Sequence, residues 1–110
     1  MARGDTLGEF EHIVLLALMR LRRSGEDPYG VTVRQEIEDR IGREVSIGAI
    51  YATLDRLESK KLVKSWVGDP TAERGGRAKR HFTVTPRGAG AVSRAQSALR
   101  RMVEGLHVGT

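Results

Sequence analysis

The chain contains no cysteine, which excludes disulfide cross-links, thiolate metal sites and thiol catalysis. Aromatic residues are scarce: one Trp, two Tyr and two Phe. Phe10, Trp66 and Phe82 are expected in packing, which leaves too few for base stacking on RNA. The three histidines, His12, His81 and His107, are scattered, and none stands at metal-ligand spacing from an acidic residue or another histidine. No serine lies in a G-x-S-x-G context and no glycine-rich phosphate loop follows a strand. An enzyme is therefore not expected, and neither is a metal or cofactor. The longest apolar run, Ile13–Met19, falls far short of the ~20 residues that span a bilayer. The first dozen residues carry Asp5, Glu9 and Glu11 with no apolar stretch of the secretory kind, so a cytoplasmic location without membrane contact is expected. With 110 residues there is room for a single core.

What the chain does have is positive charge. Lys and Arg total 19 against 14 acidic residues, and the excess is concentrated toward the C-terminal side. Arg74, Arg77, Lys79, Arg80, Arg87, Arg94, Arg100 and Arg101 follow one another with no acidic residue between Arg74 and Val103. A one-sided basic stretch attracts polyanions, nucleic acid first among them.

The pattern predicts three helices, a hairpin and a fourth helix. Thr6-Leu7-Gly8-Glu9 has capping-box spacing and predicts helix 1 from about residue 7 to Arg23. Its middle, Ile13–Met19, is apolar all round and so needs burial on more than one side, one of them expected to be another subunit. Val33, Ile37 and Ile41 give helix 2 a buried stripe that ends at Gly42. After Arg43-Glu44-Val45, Ser46 caps helix 3, which runs to about Lys61 on a stripe of Ile50, Leu54 and Leu57. Leu62–Val67 and Lys79–Thr85 read as strands joined by a Gly/Pro/charge segment, with Phe82 and Val84 facing one way and His81 and Thr83 the other. His81 is then a phosphate donor or an ordinary surface residue. Thr85-Pro86 opens helix 4.

Helices 2 and 3 have helix-turn-helix spacing, in which the second helix enters the major groove. Ser46, Ala49, Thr53 and Arg56 fall on its expected outer face, with Gly48, Tyr51 and Ala52 beside them. Small residues there let the backbone approach a duplex, and the free N–H groups of the first turn favour phosphate. Tyr51 either reaches a phosphate or packs its ring beneath the helix. The hairpin that follows carries Arg74, Arg77, Lys79 and Arg80 toward its tip, where they can reach the minor groove or the backbone. The fold class expected is mainly α with a β-hairpin wing: a winged helix-turn-helix over residues 1–85 and a dimerisation helix over residues 86–110, in one compact unit.

Tyr29-Gly30, the stretch Val45-Ser46-Ile47-Gly48-Ala49-Ile50-Tyr51-Ala52-Thr53-Leu54-Asp55-Arg56-Leu57-Glu58, then Leu62-Val63, and later Gly75-Gly76-Arg77-x-Lys79-Arg80-His81-Phe82-x-Val84-Thr85-Pro86-x-Gly88 stand in an order and spacing that resembles the PadR family of bacterial transcriptional regulators. The resemblance spans roughly residues 8 to 104. Ala49 and Ala52 stand where many members carry Thr and Pro, and His81 where Tyr is common. A single helix after the wing resembles the short subfamily, whose members dimerise through it. The resemblance implies a DNA-binding regulator, most often a repressor, that acts as a homodimer on double-stranded DNA and in some members is relieved by a small apolar or aromatic effector. The competing reading is a winged helix used only for protein interaction, which would carry a neutral or acidic wing and an apolar exposed helix 3.

Val92, Ala95, Leu99, Met102 and Leu106 follow one another at alternating three- and four-residue spacings, an a/d seam. With Phe10 and Val14 of helix 1 they are the expected dimer interface. Where helices 1 and 4 of opposing subunits meet, a filled, dry interface is expected, since no polar group there would orient a ligand; the alternative is a small apolar effector cavity lined by Phe10, Val14, Leu99 and Met102.

Overall fold

The computed structural model describes residues 6–68 and 79–107. Its elements, in order, are α1 (Glu9–Ser24), α2 (Gly30–Ile41), α3 (Ile47–Ser59), β1 (Val63–Val67), β2 (Arg80–Val84) and α4 (Pro86–Val103). The mainly helical class with a two-stranded antiparallel hairpin is as expected.

Local chemistry sets most of the boundaries. Ser46 Oγ accepts from Ala49 N–H at 3.1 Å and starts α3. Thr85 Oγ1 accepts from Gly88 N–H at 3.0 Å, and Pro86 takes the first turn of α4. The start of α1 differs from the expectation. Its cap is Gly8, whose N–H donates to Glu11 Oε1 at 2.9 Å, rather than the Thr6/Glu9 pair. That register puts Glu11 against the neighbouring helix, where it has ionic partners.

The core is built on Leu15, Leu18 and Leu21 of α1, Val33 and Ile37 of α2, Ile50, Leu54 and Leu57 of α3, and Leu62, Val63 and Phe82 of the hairpin. Each such side chain contributes roughly 1.5–3 kcal/mol on burial. Ile41, expected on the buried stripe of α2, is exposed, because the helix ends there and the chain turns away at Gly42.

The hairpin pairs Val63 with Val84, Ser65 with Phe82 and Trp66 with His81. This register turns Phe82 into the core and Trp66 out. Trp66, expected in packing, packs at the surface rather than in the core: it is 47% exposed and stacked on the His81 ring, with centroids 5.4 Å apart. The segment before α2 joins the sheet edge, since Phe82 N–H donates to the Pro28 carbonyl at 2.8 Å.

The base of α4 is fixed by two hydrogen bonds to the end of the α3–β1 turn. Thr85 N–H donates to Leu62 O at 3.0 Å and Thr85 Oγ1 to Lys61 O at 2.8 Å. Gly88 then passes so near Leu62 that a Cβ there would collide with its carbonyl oxygen. Ala91 and Val92 are buried against the same domain. The first half of α4 thus has a partner inside the monomer, and Val92, expected at the dimer seam, belongs to that contact.

Candidate nucleic-acid interface

The outer edge of α3 is nearly bare of side chain. Ser46, Gly48, Ala49 and Ala52 are exposed, followed by Asp55 and Arg56. Two expectations change on this helix. Thr53 is buried, at 2% exposed, because it lies one residue round the helix from Ala52, on the side of Ile50, Leu54 and Leu57. Tyr51 adopts the packing alternative. Its ring is half-buried against the core, 6.4 Å from the Phe82 ring, and lies directly over Gly30. The ring thus serves packing, whichever group its hydroxyl meets.

The bare edge is bracketed by two arginines, each held by carboxylates. On the α1 side, Arg56 Nε donates to Glu11 Oε2 at 3.2 Å. On the hairpin side, Arg80 Nη1 donates to Asp55 Oδ1 at 3.0 Å, and its Nη2 donates to Glu58 Oε1. Arg80, expected to reach DNA from the hairpin, shares its charge with two carboxylates of α3, which fixes the hairpin to the helix. Lys79 is exposed, with Nζ 4.5 Å from the Tyr29 ring centre. Arg74 and Arg77 lie outside the described residues. His81 is enclosed by rings, with Trp66 stacked on it and Tyr29 edge-on at 5.9 Å.

These ion pairs shift ionisation. Burial pushes the Glu11 carboxyl up, but the Gly8 N–H, Lys60 and Arg56 together outweigh it and hold the carboxyl below its ordinary range. The Ser65 hydroxyl and Arg80 lower Glu58 likewise, against a smaller opposing effect of burial. Burial alone would lower Arg80, yet Glu58 and Asp55 raise it.

The sequence did not single out Glu11, Asp55 or Glu58. Glu11 meets Arg56 and Lys60 across 45 and 49 residues of chain, beyond any local spacing rule. An acidic residue just before the apolar run of α1 is the one trace it leaves.

The expected dimer residues divide into two groups. Val14 is fully buried and Val92 is 5% exposed, so both belong to the monomer core and not to a surface. Phe10 is half-buried beneath the Arg43 guanidinium, 5.1 Å from its ring centre, and Ala95 is half-buried. Leu99, Met102 and Leu106 stand out at 57%, 75% and 63% exposed. The cleft between the start of α1 and α4, about 940 Å³, is lined by Leu7, His12, Ala91, Ala95, Ala98 and Leu99 among others. This cleft lies within one chain, and of the four residues named for a cavity between subunits it takes in Leu99. Among the described residues, no group of three or more His, Asp or Glu is placed to hold a metal, and no helix is long and apolar enough to cross a membrane.

Residues 16–94 match the family described as transcriptional regulator PadR-like. An uncharacterized protein of Lysinibacillus sphaericus is 30% identical over 91 residues, which cover 80% of this chain and 76% of that protein. A PadR family transcription regulator from Clostridium difficile has the same fold, with a TM-score of 0.70 at 22% identity over 86% of this chain and 91% of the other. RosR of H. salinarum is similar at 26% identity and a TM-score of 0.68, over 92% and 81% of the two chains.

Proposed function

Because this chain belongs to the PadR-like family of transcriptional regulators, we propose that it acts as a homodimeric repressor on a near-palindromic operator, with α3 in the major groove and the hairpin alongside. The observation that carries this reading is the bare edge of α3. Between Ser46 and Ala52 no exposed side chain on that edge is larger than serine, so the helix backbone can lie close to base edges and its first-turn N–H groups close to a phosphate. Arg56 stands on one flank of this edge, and Lys79 and Arg80 on the other.

The far half of α4 supplies the second requirement. Leu99 and Met102 expose large apolar side chains in seam register, and Leu106, expected to continue the seam, is exposed just beyond the end of the helix at Val103; a second copy would cover this surface. Residues 1–85 then form the DNA-binding part and residues 86–110 the dimerisation helix. A two-fold dimer sets its recognition helices about 34–36 Å apart, one turn of duplex. A small apolar or aromatic effector entering the α1–α4 cleft would alter that separation. The protein would work in the cytoplasm, where its operator is.

Capture of fragments of the source genome by the purified protein, followed by sequencing, tests the proposal. The expected outcome is enrichment of a few sites that share an inverted repeat. Uniform recovery of fragments would contradict it.

A further inference from the structure

Among the described residues Glu11 is the only charged side chain in the core, at 6% exposed. A carboxylate taken out of water is kept ionised only by partners, and those of Glu11 are specific. Oε1 accepts from Gly8 N–H at 2.9 Å, both oxygens accept from Lys60 Nζ at 3.0 Å, and Oε2 accepts from Arg56 Nε at 3.2 Å. Apart from the cap of its own helix, every partner belongs to α3 or its C-cap.

The grip on Arg56 is asymmetric. Nε is taken by Glu11, and Nη2 reaches Thr53 Oγ1 at 3.4 Å. Nη1 has no partner among the described residues, and the side chain is 55% exposed. The inner edge of the guanidinium is therefore fixed to the protein, while Nη1 stays open on a side chain that is more than half exposed. This open end can pair with guanine O6 and N7 or with a phosphate.

We infer that Glu11 is a positioning residue for DNA recognition: by holding Arg56 at Nε it presents the outer end of the guanidinium to the duplex at one fixed place along α3. The inference rests on the DNA-binding reading above. A long side chain held in its bound geometry loses less conformational freedom on binding, an advantage of roughly two- to tenfold in affinity. Glu11 touches no DNA in this account. It acts through Arg56.

The test selects binding sites from a randomised 30-base-pair duplex pool with full-length wild type, Glu11→Gln, Arg56→Ala and the double variant, and measures the salt dependence of binding for each. Thermal unfolding checks that each is folded. If Arg56 reads a base, Glu11→Gln and Arg56→Ala should flatten preference at the same position. If it meets a phosphate, both should reduce the log–log salt slope by about one and leave the preferred sequence unchanged. In either case the double variant should lose no more than Arg56→Ala alone. Should Glu11→Gln fail to fold, Arg56→Lys leaves Glu11 and its other partners in place and should lose most of what Arg56→Ala loses. Glu11→Gln with wild-type preference and slope, additive losses in the double variant, or full function of Arg56→Lys would each overturn the inference alone. A wild-type protein that enriches no sequence would overturn the DNA-binding reading and this inference with it.

Discussion

The ring of Tyr51 lies so close over Gly30 that a single added carbon at residue 30 would collide with its Cζ, Cε2 and Oη atoms. Tyr51 is on α3 and Gly30 opens α2, so this contact sets how near the two helices of the helix-turn-helix come. The ring is itself packed against the core, 6.4 Å from the Phe82 ring, so moving it aside gives up that contact. Gly30→Ala should therefore destabilise the fold by roughly 1–3 kcal/mol. Urea unfolding of Gly30→Ala, Tyr51→Ala and the double variant should show that the penalty of the added methyl largely disappears once the ring is gone.

Leu99→Glu should leave the chain folded and separate the copies. Leu99 is exposed in the single chain, so the new charge meets water in a monomer and lies unpaired against apolar side chains in a dimer, at several kcal/mol. Sedimentation should find wild type as a dimer at micromolar concentration and Leu99→Glu as a monomer with unchanged circular dichroism. A wild-type monomer would contradict the α4 seam.

Stability should depend on acid pH through Glu11. Its carboxyl is held below the unfolded value, so the stabilisation is fully present above the unfolded pKa, about 4.3. It is lost as pH falls through the lowered folded value. Glu58 acts in the same direction. Glu11→Gln should be less stable than wild type at pH 7, and denaturant midpoints should show the gap closing below about pH 4.

Binding should weaken steeply with salt. Two α3 N-termini and two hairpins can neutralise ~6–10 phosphates, a log–log slope of about −5 to −9. Lys79→Ala should reduce the slope by about one for each phosphate that the lysine neutralises, while the preferred sequence stays the same. Arg77→Ala should do likewise. A slope near zero would remove the electrostatic argument.

The elements were legible because their signals are local. Ser46 and Thr85-Pro86 begin helices by rules that reach three residues, and the alternation about Phe82 names the inner face of its strand. The seam was only half legible. Periodicity places Val92 and Leu99 on one stripe, but only the docking of Gly88 on Leu62 shows that the stripe enters the monomer core at one end and leaves it at the other. Val14 illustrates the same limit, since a helix apolar all round does not reveal which sides its own domain covers. The small residues of α3 were readable as a close-approach edge. The carboxylates that hold Arg56 and Arg80 were not, because those pairs join residues brought together only by the packing of α1 and the hairpin on α3.

Hydroxyl-radical footprinting on a site recovered from the genome tests the central claim most directly, that two copies present their α3 helices to successive turns of one duplex. The account predicts two protected patches related by a two-fold axis, with centres about 34–36 Å apart, and no such pair of patches with Leu99→Glu. A single unsymmetric patch, or protection that Leu99→Glu leaves unchanged, would contradict it.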